Sequence, residues 1–171
     1  YYTDNMREVF ANGGIVPDTI ISNKSESKQI QALLARGMFF RFTTNFFNTN
    51  EITSIEMLDD NEMYNKFISY IGENKFDYSS KSEKLLDDLR AIAEKEEMHD
   101  DVFSLILQLD QEYEDEKMVE MEKYKSEIIY LIEKELAARI DGRSGRILQS
   151  LKHDKQYDAA LALFGDEAVY K

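Results

Sequence analysis

After Pro17 the chain carries no proline, and from Ser25 onward its apolar residues recur at helical spacing almost without interruption. Proline removes a backbone donor and clashes with the preceding turn, so its absence leaves helices free to run. Apolar residues at i, i+3, i+4 and i+7 then require those helices to bury one face against each other. The predicted fold class is therefore mainly α, a multi-helix domain. The opening residues differ. Arg7-Glu8-Val9-Phe10-Ala11-Asn12-Gly13-Gly14-Ile15-Val16-Pro17-Asp18 sets two glycines and the proline among β-branched and aromatic residues, the pattern of strand, tight turn and strand. Gly13 and Gly14 take positive φ at no steric cost, and Pro17 keeps Val16 extended, so the backbone folds back sharply. A hairpin connection is the plainer reading. The sharper one is a main chain lining a binding cleft, with Gly13, Gly14, Ile15, Pro17 and Asp18 along it.

Ile20 and Ile21 close this β-type unit and Ser22 to Ser27 is a polar connector, which predicts two domains, 1–23 and 24–171. In the run from Glu26 to Phe47, Ile30, Leu33, Leu34 and Met38 form one helical stripe, while Phe39, Phe42 and Phe46 form a second, rotated from the first. A helix apolar on two sides needs two partners, so Phe39, Phe42 and Phe46 are the expected docking face for a neighbouring domain, left exposed where that domain is absent; an aromatic pocket for a ligand is the sharper reading. Asp59 or Asp60 starts a short helix with Met63, Phe67, Tyr70 and Ile71 on one side. Ser80-Lys81-Ser82-Glu83 has the spacing of a capping box, followed by Leu85, Leu86, Leu89, Ile92 and Ala93. Asp100 or Asp101 is expected to cap one or two long helices reaching roughly residue 140. A last helix, capped by Asp154 and ended by Gly165, is expected to turn Tyr157, Ala160, Leu161 and Phe164 inward.

The formal net charge of −13 and pI near 4.6 argue against binding nucleic acid or an anionic membrane surface, both of which select clustered Lys and Arg. There is no cysteine, which excludes disulfides and thiolate metal sites. No leader-like segment or apolar run long enough to cross a bilayer is present, and the chain does not begin with Met. Together with the abrupt β-type start, this suggests a piece of a larger protein.

Three patterns in the chain have spacings associated with chemistry. Glu96-Glu97-Met98-His99 has the Glu-x-x-His spacing of carboxylate-bridged di-iron bundles, but the other histidine, His153, has Ser150 three residues before it, so the second motif is missing. Ser25-Glu26-Ser27-Lys28 matches Ser-x-x-Lys without the partner motifs that accompany it in serine acyl-transfer enzymes. The acidic run from Glu112 to Glu122 could bind a cation or a basic partner, but it is interleaved with Met118 and Met121, and a solvated helix face is the plainer reading. Arg139, Arg143 and Arg146 share a face only if one helix continues through Gly142 and Gly145; otherwise they complement a helix end and nearby acids. No catalytic residue, metal or cofactor is assigned.

Tyr2-Thr3 and then Arg7 to Asp18 resemble the segment that closes the catalytic domain of carboxy-terminal processing (tail-specific) serine proteases, with Gly13, Gly14, Ile15, Pro17 and Asp18 at matching positions. Met6 departs from the glycine before the arginine, and Ala11-Asn12 from the first two glycines. Leu33 to Phe42, Phe76-Asp77-Tyr78, Ser82-Glu83-Lys84, Lys123 to Ile128 and Arg139 to Lys152 look like the helical tail of the envelope-type bacterial members. The resemblance implies that residues 1–23 are a β remnant of the catalytic domain, followed by a helical C-terminal domain. It also implies a parent peptidase with a Ser nucleophile, a Lys base and a PDZ module, acting in the periplasm or cell envelope on proteins or peptides near their C-termini. The implied partners are the catalytic and PDZ domains of the same chain and protein or peptide substrates. Neither catalytic residue is in this chain, so it is expected to be inactive alone. Docking, substrate positioning and homo-oligomerisation are the roles open to it, and a free-standing helical interaction module is the alternative.

Overall fold

The computed structural model of the chain describes residues 20–21, 27–76 and 78–164. The expected hairpin, including Gly13, Gly14, Ile15, Pro17 and Asp18, lies outside them. Among the described residues there is no strand. The elements are α1 (Lys28–Ala35), α2 (Met38–Thr49), a 3₁₀ turn at Ile55–Met57, α3 (Asp60–Glu73), α4 (Lys81–Lys95), α5 (Asp100–Lys123), α6 (Lys125–Ile140), α7 (Gly142–Leu151) and α8 (Lys155–Phe164). No helix of the described residues is long and apolar enough to cross a membrane.

Helices α1 to α7 lie in one compact unit, Glu26–Asp154, and α8 lies in a second. None of the residues of α8 is buried, and the expected inward set departs from this, with Tyr157, Leu161 and Phe164 exposed.

Caps explain most helix starts. Ser27 accepts from Gln29 and Ile30 at the start of α1, and Asp59 Oδ1 accepts from the Glu62 amide at 2.8 Å to start α3. At α4 the capping box is complete: the Glu83 amide donates to Ser80 Oγ at 3.2 Å, and the Ser80 amide donates to Glu83 Oε2 at 2.8 Å. The run from 26 to 47 is two helices rather than one, because Gly37 adopts φ +64°, ends α1 and redirects the chain into α2. Likewise α5 and α6 meet at Tyr124, and Gly142, at φ +64°, separates α6 from α7. The three arginines therefore do not share one continuous helix.

Helix α6 is central, packing against α2, α3, α5 and α7. Its Ile128, Ile132 and Leu136 are fully buried and meet Ile30 and Leu33 of α1, Met38, Phe39 and Phe42 of α2, Met63, Tyr64 and Phe67 of α3, and Met121 of α5. The Phe39 ring stacks on Phe67 at 4.8 Å, and Phe67 meets Phe42 edge-on at 5.3 Å. A small second cluster, Leu86, Ala93 and Ile106, joins α4 to the first half of α5.

Candidate functional site

Phe39 and Phe42, expected on a docking face, are 2% and 4% exposed. Both apolar stripes of the 26–47 run enter the same core, because the kink at Gly37 turns the second stripe inward to meet α3 and α6. The partner that the second stripe requires is thus supplied by the chain itself. Phe46 is half-buried at the edge of that core and has a different place, in the wall of a groove.

That groove runs between α2 and α3 and encloses about 640 Å3. From α2 it takes Phe42, Asn45, Phe46 and Thr49, the i, i+3, i+4, i+7 set of one helical face. From α3 it takes Glu62, Asn65, Lys66, Ser69, Tyr70 and Glu73, at the same periodicity, and Asp59 and Asn61 close one end. The aromatic part is ordered by ring contacts, Phe42 to Phe46 at 5.7 Å and Phe42 to Tyr70 at 5.4 Å. Lys66 lies over the Phe46 ring at 5.1 Å while bonding Glu62 at 2.6 Å, which holds its charge at the rim. Asn45, Asn61 and Asn65 are exposed along the edges, so a floor of aromatic carbon is bordered by amides that both donate and accept. With three carboxylates, Asp59, Glu62 and Glu73, against Lys66, the groove disfavours an acidic ligand.

The α2 wall is fixed from behind by Arg139. Its guanidinium donates to the Phe40 carbonyl at 2.8 Å and to Thr44 Oγ1, and lies over the Phe40 ring at 4.8 Å. Glu135 anchors it through its own carbonyl at 2.8 Å, and also takes Arg146 at 3.0 Å, joining α2, α6 and α7. Burial pulls the Arg139 pKa down against the pull of Glu135, and the repulsion from Arg146 adds to it. On the far side of α6, burial and then the Asp60 charge raise the pKa of Glu133, which accepts from Gln149 at 2.7 Å. Burial and Glu122 push Tyr64 up to about 12, leaving it a neutral donor.

A second, smaller concavity of about 280 Å3 is lined by Gln29, Ile71, Phe76, Tyr78, Lys117 and Met121 among others. The Gln29 Oε1 atom is buried and has no hydrogen-bond partner among the described residues.

The other candidates are dispersed. Glu96 ends α4 and His99 caps α5, with Glu97 at φ +51° between them, so no single helix brings them together, and the His99 side chain is 81% exposed. Among the described residues no group of His, Asp and Glu is placed to hold a metal ion. Ser25 lies outside the described residues. The acidic run is largely solvated, with Lys117 bridging Glu83 at 2.5 Å and Glu114 at 2.8 Å. The sequence offers an aromatic pocket on the Phe-rich run but not the polar wall of this groove, because Asn61, Asn65 and Ser69 recur at i, i+4 and i+8 on the polar side of α3, a signal indistinguishable from ordinary solvation until α2 is packed beside it.

A family model described as "Probable PDZ-protease, C-terminal helical domain" matches residues 29–164. No curated protein and no solved structure matches the chain.

Proposed function

The chain belongs to the family of C-terminal helical domains of probable PDZ-proteases, and we propose that it is the non-catalytic region of a serine-type peptidase that holds substrate polypeptide for a catalytic core outside this chain. The finer reading follows the resemblance: a carboxy-terminal processing enzyme with a Ser/Lys pair, acting in the periplasm or envelope on proteins with exposed C-termini, the two reactive residues lying outside this sequence.

The observation that supports positioning, rather than chemistry, is the α2–α3 groove. The α3 wall from Asp59 to Glu73 is about 21 Å long at 1.5 Å per residue, which accommodates about six residues of extended chain at about 3.3 Å each. Phe46 and Tyr70 offer apolar contact, while the asparagine amides match the alternating donors and acceptors of a peptide main chain. Main-chain recognition suits an enzyme that must hold many different sequences.

The test uses the full-length protease with Ser69→Phe, which fills the groove from an exposed position. For an unfolded protein substrate KM rises severalfold at constant kcat, and cleavage of a short chromogenic peptide is unchanged. An unchanged KM for the unfolded protein refutes the reading.

A further inference from the structure

We propose that the cavity between α1, α3 and α5 is a binding site for a small, neutral aromatic ligand carrying one N–H donor, an indole in its simplest form, with Gln29 as the acceptor. It shares no lining residue with the α2–α3 groove, so the inference stands whether or not that groove takes substrate.

Local chain geometry builds the walls. Ser27 caps α1 and accepts from the Gln29 amide at 3.1 Å, which fixes Gln29 in the first turn, where it is only 6% exposed. Helix α3 ends with Lys75 at φ +50°; the Lys75 amide donates to the Gly72 carbonyl at 3.0 Å and the Phe76 amide to the Ile71 carbonyl at 2.9 Å. This paired reversal folds the residue after a helix end back onto its last turn, so Phe76 and Ile71 line the cavity together. Arg36 lies over the Phe76 ring at 5.1 Å and steadies it. From α5, Met121 is buried, while Met118, 57% exposed, stands at the mouth. Lys117 of the same helix is tied to Glu83 at 2.5 Å and to Glu114 at 2.8 Å, so its charge is balanced within the protein.

The lining selects the ligand. A glutamine is seldom buried unless its amide is hydrogen-bonded. Here Oε1 has no partner among the described residues, and Ile68, Ile71, Phe76 and Met121 of the same lining carry no side-chain donor to supply one. A buried water typically makes about three hydrogen bonds, more than this acceptor and its apolar neighbours offer. A ligand with an apolar body and a single N–H satisfies the acceptor and covers the wall at once. The terminal torsion of a glutamine is soft, so Oε1 turns to meet the donor at little cost. The volume of about 280 Å3 is roughly twice that of a cavity of about 150 Å3 that takes benzene, which gives room for a fused two-ring aromatic. Phe76 and Tyr78 offer ring contacts, and Met118 and Met121 offer sulfur contacts, which favour an aromatic body over an aliphatic one. Two carboxylates against one ammonium at Lys117 disfavour an anion, and the apolar wall disfavours stripping the water from a cation.

Calorimetric titration of the chain with indole and with benzofuran, which has the same shape and an oxygen in place of the N–H, tests this. Indole binds saturably with a Kd of about 1 mM or below, and benzofuran at least about tenfold more weakly. In Gln29→Leu, with helicity checked by circular dichroism, indole falls to the level of benzofuran, whose own affinity is unchanged. The seven methionines locate the ligand: methyl NMR signals of Met118 and Met121 shift on adding indole, while those of Met57 and Met98, neither of which lines the cavity, do not. Absence of saturable indole binding, benzofuran binding the wild type as tightly as indole, or shifts at Met57 in place of Met118 and Met121 each overturns the proposal, and so does a folded Gln29→Leu that still prefers indole. The first three need only the wild type, so a variant that fails to fold does not shield the proposal. None of these results bears on the KM effect of Ser69→Phe, so the two readings fail independently.

Discussion

Phe39 and Phe40 are adjacent in sequence and opposite in environment, and that contrast can be measured. Phe39 is 2% exposed with its ring stacked 4.8 Å from Phe67; Phe40 is 58% exposed and covered on one face by Arg139. Truncating Phe39 to Ala removes about 100 Å2 of buried apolar surface, about 2.5 kcal/mol at 25 cal/mol per Å2. The lost ring pair adds about 1 kcal/mol. A cavity beneath α6 that the surrounding helices only partly fill brings the total to about 4 kcal/mol, within the range of Phe→Ala changes in cores. Phe40→Ala forfeits only a surface cation–π contact, about 1 kcal/mol or less. Urea unfolding followed at 222 nm gives both numbers. If Phe39 instead formed a docking face, Phe39→Ala would leave stability within about 0.5 kcal/mol of wild type, as surface changes do. That result, or equal costs for the two variants, would refute the assignment of Phe39 to the core.

Three further outcomes follow from packing and charge. A Cβ added at Gly145 would collide with the Ala137 carbonyl oxygen, so Gly145→Ala forces α7 off α6 and costs about 1–3 kcal/mol in the same unfolding assay. At Glu83, partial burial raises the carboxyl pKa, but hydrogen bonds from Lys117 and Ser80 outweigh it and hold the group below its ordinary value of 4.5. Its contribution is therefore complete above pH 4.5 and lost as pH falls through the depressed value, so the stability gap between wild type and Glu83→Gln is constant near neutrality and closes only in acid. Glu133 has the opposite sign: burial and Asp60 raise its pKa, so the ionised form opposes folding at neutral pH. Glu133→Gln, which can still accept from Gln149, raises the melting temperature at pH 7 by an amount that shrinks toward pH 4.

How much of this was legible beforehand depends on the range of the interaction. Local features read directly: the Ser80–Glu83 box and the Asp59 cap need only residues within one turn, and the structure has both. The cap of α5 was displaced by one or two residues, since His99 Nδ1 takes the Asp101 amide where an aspartate was expected. The helix break at Gly37 is not legible in the sequence, because the two stripes around it each keep helical spacing and only the core shows that they converge. In α4, Leu85 and Leu89 carry the same periodic signal as Leu86, yet Leu86 is buried and the other two are exposed. Periodicity marks an apolar face without saying what covers it. The groove is a product of tertiary packing: its aromatic floor comes from Phe42, Phe46 and Tyr70, and its borders from polar residues whose spacing alone points to solvent.

Helix α5 belongs to both clusters: Ile106 packs with α4, while Met121, near the other end, packs beneath α6. Its 24 residues make a rod about 36 Å long, held at the Tyr124 junction. Such a rod acts as a lever. A tilt of about 10° at Tyr124 carries the α4–α5 tip through about 6 Å while the groove behind α6 stays in place, so a load applied at the tip is felt first at Met121, under the centre of the fold.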